Sequence, residues 1–236
     1  MKKIILPIVL MFSLVLSGVA VTAQTADEII DKYITAIGGK ENWKKINSMV
    51  VEGNVEVQGL EIPFKMQVVN NIGMRSDAEF QGNKIIDILT PDKGWSQNPL
   101  SGKATLQPLT SEEMKQKVDE LDLQGSFLDY SAKGSTVEFL GKDEDEGNEF
   151  YKVKLTTKNN NETTYFFDIK TYLVYKQEST TKQNGQDVKI TVKSLNYQKT
   201  DAGVFVPYKL DQGGMVIATK KILFNVPVDE TQFIGK

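Results

Sequence analysis

The side chains available for chemistry in this 236-residue sequence are carboxylates, hydroxyls, lysines, tyrosines and one arginine, Arg75, because histidine and cysteine are both absent. No imidazole base, no thiolate nucleophile and no zinc or copper site of the usual kind can be built from that set. Glu138, Asp168 and Glu178 are the acids from which a glycosidase pair would have to be drawn, yet nothing in their spacing brings two of them together. The run Asp143 Glu144 Asp145 Glu146 lies between Gly141 and Gly147 and lacks the alternating ligand spacing of a calcium loop. It reads as a solvated hairpin tip. The expectation is a protein that is not an enzyme, with no catalytic residue, no metal and no cofactor.

Charge excludes a second class. Residues 1–23 contain Lys2 and Lys3 and no acid, so the chain without them has 26 basic residues against 31 acidic, a net charge of −5. With one arginine and dispersed lysines there is no guanidinium cluster for phosphate, and nucleic acid is not a partner. The N-terminus itself is ordered as a secretory signal: Met1 Lys2 Lys3, an apolar run from Ile4 to Leu16, then Ser17 Gly18 Val19 Ala20 Val21 Thr22 Ala23. A spanning helix needs roughly 20 uninterrupted apolar residues. This run is shorter and contains Pro7, and Val21-x-Ala23 supplies a cleavage box. In Leu16 Ser17 Gly18 Val19 a valine occupies the place of the acylated cysteine of a lipoprotein signal. The expectation is cleavage near Ala23, a periplasmic mature chain without a lipid anchor or an integral span, and one domain over residues 24–236.

The elements that must position any site follow from periodicity. Thr25 and Glu28 form a capping box, and Ile29, Ile30, Tyr33, Ile34 and Ile37 fall on one helical face that Gly38 and Gly39 end. A short helical turn with Trp43 covers Glu41 to Lys45. From Ser48 the period becomes two: Met49, Val51, Val55, Val57; then Ile62, Phe64, Met66, Val68; then Ile72, Met74, Ala78, Phe80. Pro91 Asp92 Lys93 Gly94 reads as a turn in which glycine permits a left-handed exit, with Trp95 opening the next strand. Thr110 and Glu113 make a second capping box with Leu109 and Met114 as its hydrophobic staple, and Met114, Val118 and Leu121 form a stripe. Strand pattern then returns from Val137 to Phe224, punctuated by Asn159 Asn160 Asn161, Asn184 Gly185 and Gly213 Gly214.

About eleven short antiparallel strands are too many for a flat sheet. The fold class expected is mainly β with some α (α+β), a strongly curled antiparallel sheet whose helical stretches lie across its concave face as a lid. Flexible methionines on the inward positions would enclose an apolar cavity. Its candidate lining is Met49, Phe64, Met66, Met74, Met114 and Val118, with Trp95 at the rim.

In the order of its motifs the mature chain resembles the periplasmic outer-membrane lipoprotein carrier and sorting family. The residues carrying the resemblance are the N-terminal helix ending in Gly38 Gly39, the segment Pro91 Asp92 Lys93 Gly94 Trp95 Ser96 Gln97 Asn98 Pro99, the turn Asp168 Ile169 Lys170 Thr171 Tyr172 Leu173, and Phe224 Asn225 Val226 Pro227 Val228 Asp229 to Phe233. The resemblance implies an open β half-barrel lidded by helices, acyl chains of a lipid or lipoprotein as ligand, and envelope donor and acceptor proteins as partners. Two departures stand out. Carriers of that family usually place an Arg-Pro pair where this chain has Val69 Asn70 Asn71, and some possess an extra C-terminal strand beyond the position of Phe233. Three functions thus separate by observables. A lipid or lipoprotein binding and transfer protein predicts an accessible apolar cavity, an envelope structural or interaction protein a filled core, and a carboxylate hydrolase two converging acids.

Overall fold

The computed structural model describes residues 24–183 and 186–235; the expected leader and the Asn184 Gly185 turn lie outside the described residues. Helix α1 (Ala26–Ala36) and the short α2 (Lys40–Lys44) precede six strands: β1 (Ser48–Val57), β2 (Leu60–Val69), β3 (Gly73–Phe80), β4 (Asn83–Leu89), β5 (Gly94–Asn98) and β6 (Lys103–Pro108). Helix α3 (Ser111–Lys117) and a 3-10 turn (Val118–Leu121) follow. Seven further strands complete the sheet: β7 (Thr136–Asp145), β8 (Asn148–Thr156), β9 (Glu162–Asp168), β10 (Val174–Gln183), β11 (Gln186–Lys199), β12 (Phe205–Asp211) and β13 (Met215–Phe224). A last 3-10 turn covers Glu230–Phe233.

All thirteen strands belong to one antiparallel sheet in the order β6-β5-β4-β3-β2-β1-β13-β12-β11-β10-β9-β8-β7. It is two meanders joined where β1 pairs with β13, and β6 and β7 are its unpaired edges. The sheet is an open half-barrel. Its strand number exceeds the expected eleven partly through β6, whose residues show no alternating burial and which is a strand because it pairs with β5. Joining β6 to β7 obliges residues 109–135 to travel from one edge to the other. That crossing segment contains α3, so the topology itself lays a lid over the concave face.

Both capping boxes form. Thr25 Oγ1 accepts the Glu28 amide at 3.2 Å and Thr110 Oγ1 accepts the Glu113 amide at 3.2 Å, each satisfying an N–H that the first helical turn leaves unpaired. The predicted face of α1 is its buried face: Ile29 and Ile30 are sealed, and the Tyr33 ring meets Phe127 and Phe167 edge-on at 5.6 and 5.3 Å. Burying such an aliphatic side chain is worth about 2 kcal/mol, so this contact rather than helix propensity holds α1 on β8 and β9. A second cluster lies under α3 against β2 to β4, and a third joins Ile46 and Trp43 to β12 and β13.

The corner after α1 is set by glycine. Gly38 has φ +108°, and a Cβ placed on it would sit 2.5 Å from the Gly203 carbonyl oxygen. The same approach lets the Phe205 amide donate to the Ile37 carbonyl at 2.9 Å, tying the helix end to β12. A side chain at this position costs backbone strain and a clash with main chain that cannot swing away. Gly38→Ala should therefore lower global stability by about 2 kcal/mol or more in urea unfolding; a loss below half of that would show that the corner relaxes freely.

Candidate functional site

Five of the seven residues proposed from sequence converge. Met49, Met66, Met74, Met114 and Val118 meet in the cluster under α3, together with Val68, Leu89, Leu109, Leu121 and Leu123. The staple positions explain why: Leu109 and Met114 bracket the start of α3, and Val118 and Leu121 continue the stripe one and two turns further, so one narrow face of the lid reaches the sheet. Met74, Val68, Leu89 and Leu121 are buried, while Met49, Met66, Met114 and Val118 are half-buried. A cleft of about 560 Å³ runs along Leu109, Met114, Val118 and the Pro91–Gly94 turn.

Phe64 and Trp95 lie outside this cluster, although Trp95 borders the cleft. Phe64 shares the face of Met66 and lies next to it toward the hairpin ends, its ring over Gly53, where an added Cβ would come within 2.9 Å of Cε1. Trp95 pairs with Ile88 and Pro108, on the face opposite to Gly94. Its indole is covered by Gly235, where an added Cβ would fall 2.3 Å from the ring. The inward position belongs to Gly94, and this corrects the turn reading. Gly94 does not have a positive φ. It is small because a Cβ there would stand 2.6 Å from Leu109 Cδ1 and 2.8 Å from Met114 Sδ. A glycine beside a proline turn hides that role in the sequence, since the turn alone accounts for it.

Beyond the cluster the concave wall continues without a lid. Register aligns Phe64, Ala78 and Ile85 across β2, β3 and β4, and next to that row Leu210, Ile217, Val55 and Ile62 across β12, β13, β1 and β2. Ile62 is buried; the others are half-buried and belong to none of the three packed clusters. The wall is apolar and partly open.

Polar contacts attach the lid at both rims. On the β1–β6 side Lys103 Nζ binds Glu113 at 2.7 Å and Lys117 lies 3.6 Å from Asp87. On the other side Thr181 Oγ1 donates to Gln116 Oε1 at 3.0 Å, and Asn159 and Asn161 donate to the Asp119 carboxylate at 2.8 and 2.9 Å. The end of the crossing turn is held by the Val69 Asn70 Asn71 segment: Asn70 Oδ1 accepts the Leu123 amide at 3.0 Å and the Asn71 amide donates to the Leu121 carbonyl at 2.9 Å. Arg75 points the other way, bound to Asp77 at 2.6 Å and to the Gln232 carbonyl at 3.4 Å. Sequence reasoning missed Asp87, Gln116 and Thr181, which have no motif and are brought together by strand order alone.

The acids considered for chemistry are spread over the molecule. Glu138 binds Lys154 at 2.8 Å, Glu178 binds Lys189 at 2.9 Å, and Asp168 accepts the Thr171 and Lys170 amides in its own turn at 2.7 and 3.0 Å. Asp143 and Asp145 pair with Lys152 and Lys176 at 3.3 and 3.4 Å.

The open antiparallel half-barrel with helices across its concave face is a fold shared with solved structures. Among solved structures, the chain is similar to a domain from Vibrio parahaemolyticus named for outer-membrane lipoprotein sorting, with 12% identity, TM-score 0.53, and 87% of this chain and 94% of that one covered. It is also similar to a LolA superfamily protein from Nitrosomonas europaea, with 11% identity, TM-score 0.57, and 90% and 99% covered. No protein-family model and no curated protein matches the sequence. Among the described residues no helix is long and apolar enough to cross a membrane.

Glu113 makes the lid sensitive to acid. The Lys103 ammonium first, and then the Thr110 amide, pull its carboxyl down to about 2 from an ordinary 4.5. A depressed carboxylate stabilises the fold above its unfolded value and loses that contribution as pH falls through the folded one, so the tether weakens between pH 4.5 and 2. Amide exchange in α3, corrected for intrinsic rate, should accelerate across that window, and Glu113→Gln should flatten the pH dependence. An unchanged profile in the variant would remove Glu113 from the lid's attachment.

Gly94→Val should pry the lid off its seat. Exchange is expected to quicken at least several-fold across residues 111–121 while the α1 amides keep their protection; uniform loss of protection would show that α3 is part of the indispensable core.

Proposed function

We propose that the mature chain is a periplasmic, non-enzymatic protein that shields the acyl chains of a lipid or lipoprotein on the concave face beside α3, for transfer or outer-membrane sorting. The observation that carries this reading is the row of half-buried apolar side chains, Phe64, Ala78, Ile85, Ile217 and Leu210, left uncovered where the lid stops. Exposing a 16-carbon chain to water costs on the order of 12 kcal/mol at ~0.8 kcal/mol per CH₂, so such a cargo crosses an aqueous compartment only when covered. Apolar wall and flexible methionines meet that need with little geometric demand on the ligand. Similarity to a structure named for lipoprotein sorting supports the same reading, and the signal-like N-terminus supports export.

The test is gentle purification, organic extraction with lipid detection by mass spectrometry, and titration of the stripped protein with a fluorescent fatty acid. Phe64→Glu should weaken binding by about tenfold or more while leaving the urea midpoint nearly unchanged, because Phe64 lies outside the packed clusters. Met66→Glu should weaken binding and lower stability together, since Met66 packs against the cluster under the lid. A well-folded sample with neither extracted lipid nor saturable binding would overturn the proposal in favour of a structural envelope protein.

A further inference from the structure

The two walls that face α3 differ in chemistry. Toward β2, β3 and β4 the lid turns Met114, Val118 and Leu121. Its other flank, with Gln116 and Glu120, borders a cleft of about 770 Å³ whose far wall includes Thr163, Ser179, Thr181 and Ile190. Register sets Thr163, Ser179 and Ile190 side by side across β9, β10 and β11, on the face that carries Tyr165 and Phe167 into the core under α1. The hydroxyls therefore lie on the concave side. An amphipathic lid normally gives its polar flank to bulk solvent; here that flank borders a second polar wall.

Taking the acyl-carrying reading as its basis, we propose that this cleft is a headgroup subsite and that it takes a neutral, hydroxyl-rich head, a glycosyl or glycerol group. The charges around it argue against an anionic head. Five carboxylates and four lysines line the cleft, and three of those lysines are engaged by acids: Lys117 by Asp87 at 3.6 Å, Lys154 by Glu138 at 2.8 Å and Lys189 by Glu178 at 2.9 Å. No guanidinium is present to clamp a phosphate. Threonine, serine and amide side chains each combine donor and acceptor capacity, which matches sugar hydroxyls that also do both. Thr181 and Gln116 are already aligned at 3.0 Å, leaving the Gln116 amide hydrogens to serve a ligand oxygen. Glu120 is reached by solvent yet crowded by protein, and that crowding holds its carboxyl above the usual range, as expected inside a concavity.

The experiment compares three monoacyl ligands of equal chain length, a glucosyl monoacylglycerol, a lysophosphatidate and the free fatty acid, by displacement of the fluorescent fatty acid from the intact mature protein. The glycolipid should bind about tenfold more tightly than either anionic ligand, the yield of one or two additional hydrogen bonds. The double variant Thr163→Val, Ser179→Ala, which leaves the lid's attachments in place, should erase that preference to within about twofold while fatty-acid affinity stays at the wild-type value, which also certifies the fold. Equal affinities in the wild type, a preference for lysophosphatidate, or a preference that survives the double variant would overturn the subsite while leaving acyl binding intact. Failure of all three ligands to bind the wild type would overturn the acyl reading and the subsite with it.

Discussion

β1 and β13 hydrogen-bond along their whole length, from Met49 opposite Phe224 to Val57 opposite Met215, with one bulge at Glu52/Gly53. That pairing makes one sheet of two meanders that would otherwise each carry an apolar face into water. It also sends β6 and β7, neighbours in sequence, to opposite edges of the sheet. The chain between them has to cross the gap, and the concave face rewards it with apolar contact at Val68, Met74 and Leu89. Lid, clusters and cleft are consequences of where two terminal strands meet.

The hold on the lid is uneven, and the unevenness has a dynamic meaning. At its inner side Val68, Leu89 and Leu121 are at most 2% exposed, a filled core whose burial is worth several kcal/mol in sum. At the rims the attachments are partly exposed ion pairs and single hydrogen bonds, each worth about 0–1 kcal/mol. Segments held that way open locally long before the sheet unfolds. A lid hinged on its methionine face and released at its polar rims would widen the cleft beside Leu109, Met114 and Val118 without disturbing β1 and β13.

Sharing a fold at 11–12% identity is physically reasonable for such a molecule. What the half-barrel requires is alternation along strands, tight hairpins and a crossing segment with one apolar stripe, and many residue sets meet those demands. The attachment of the lid is where residue identity counts. A side-chain carbonyl and a main-chain amide from the Asn70 Asn71 segment hold the crossing turn, and Arg75 serves the C-terminal segment.

Periods of 2 and 3.6 are local properties, so the sequence by itself determined the strands, the two capped helices and the inward identity of Met49, Met66, Met74, Met114 and Val118. The turn-forming glycines were legible for the same reason. Trp95 was not, because alternation gives two faces without saying which is concave, and only the contact of Leu109 and Met114 with Gly94 decides that the glycine points inward and the indole outward. β6 was not, since an edge strand needs only a partner, not a buried side. Gln116 with Thr181, and Lys117 with Asp87, join residues 65 and 30 positions apart that no motif links. Those encounters depend on strand order, and strand order is settled by the pairing of β1 with β13 across almost the full length of the described chain.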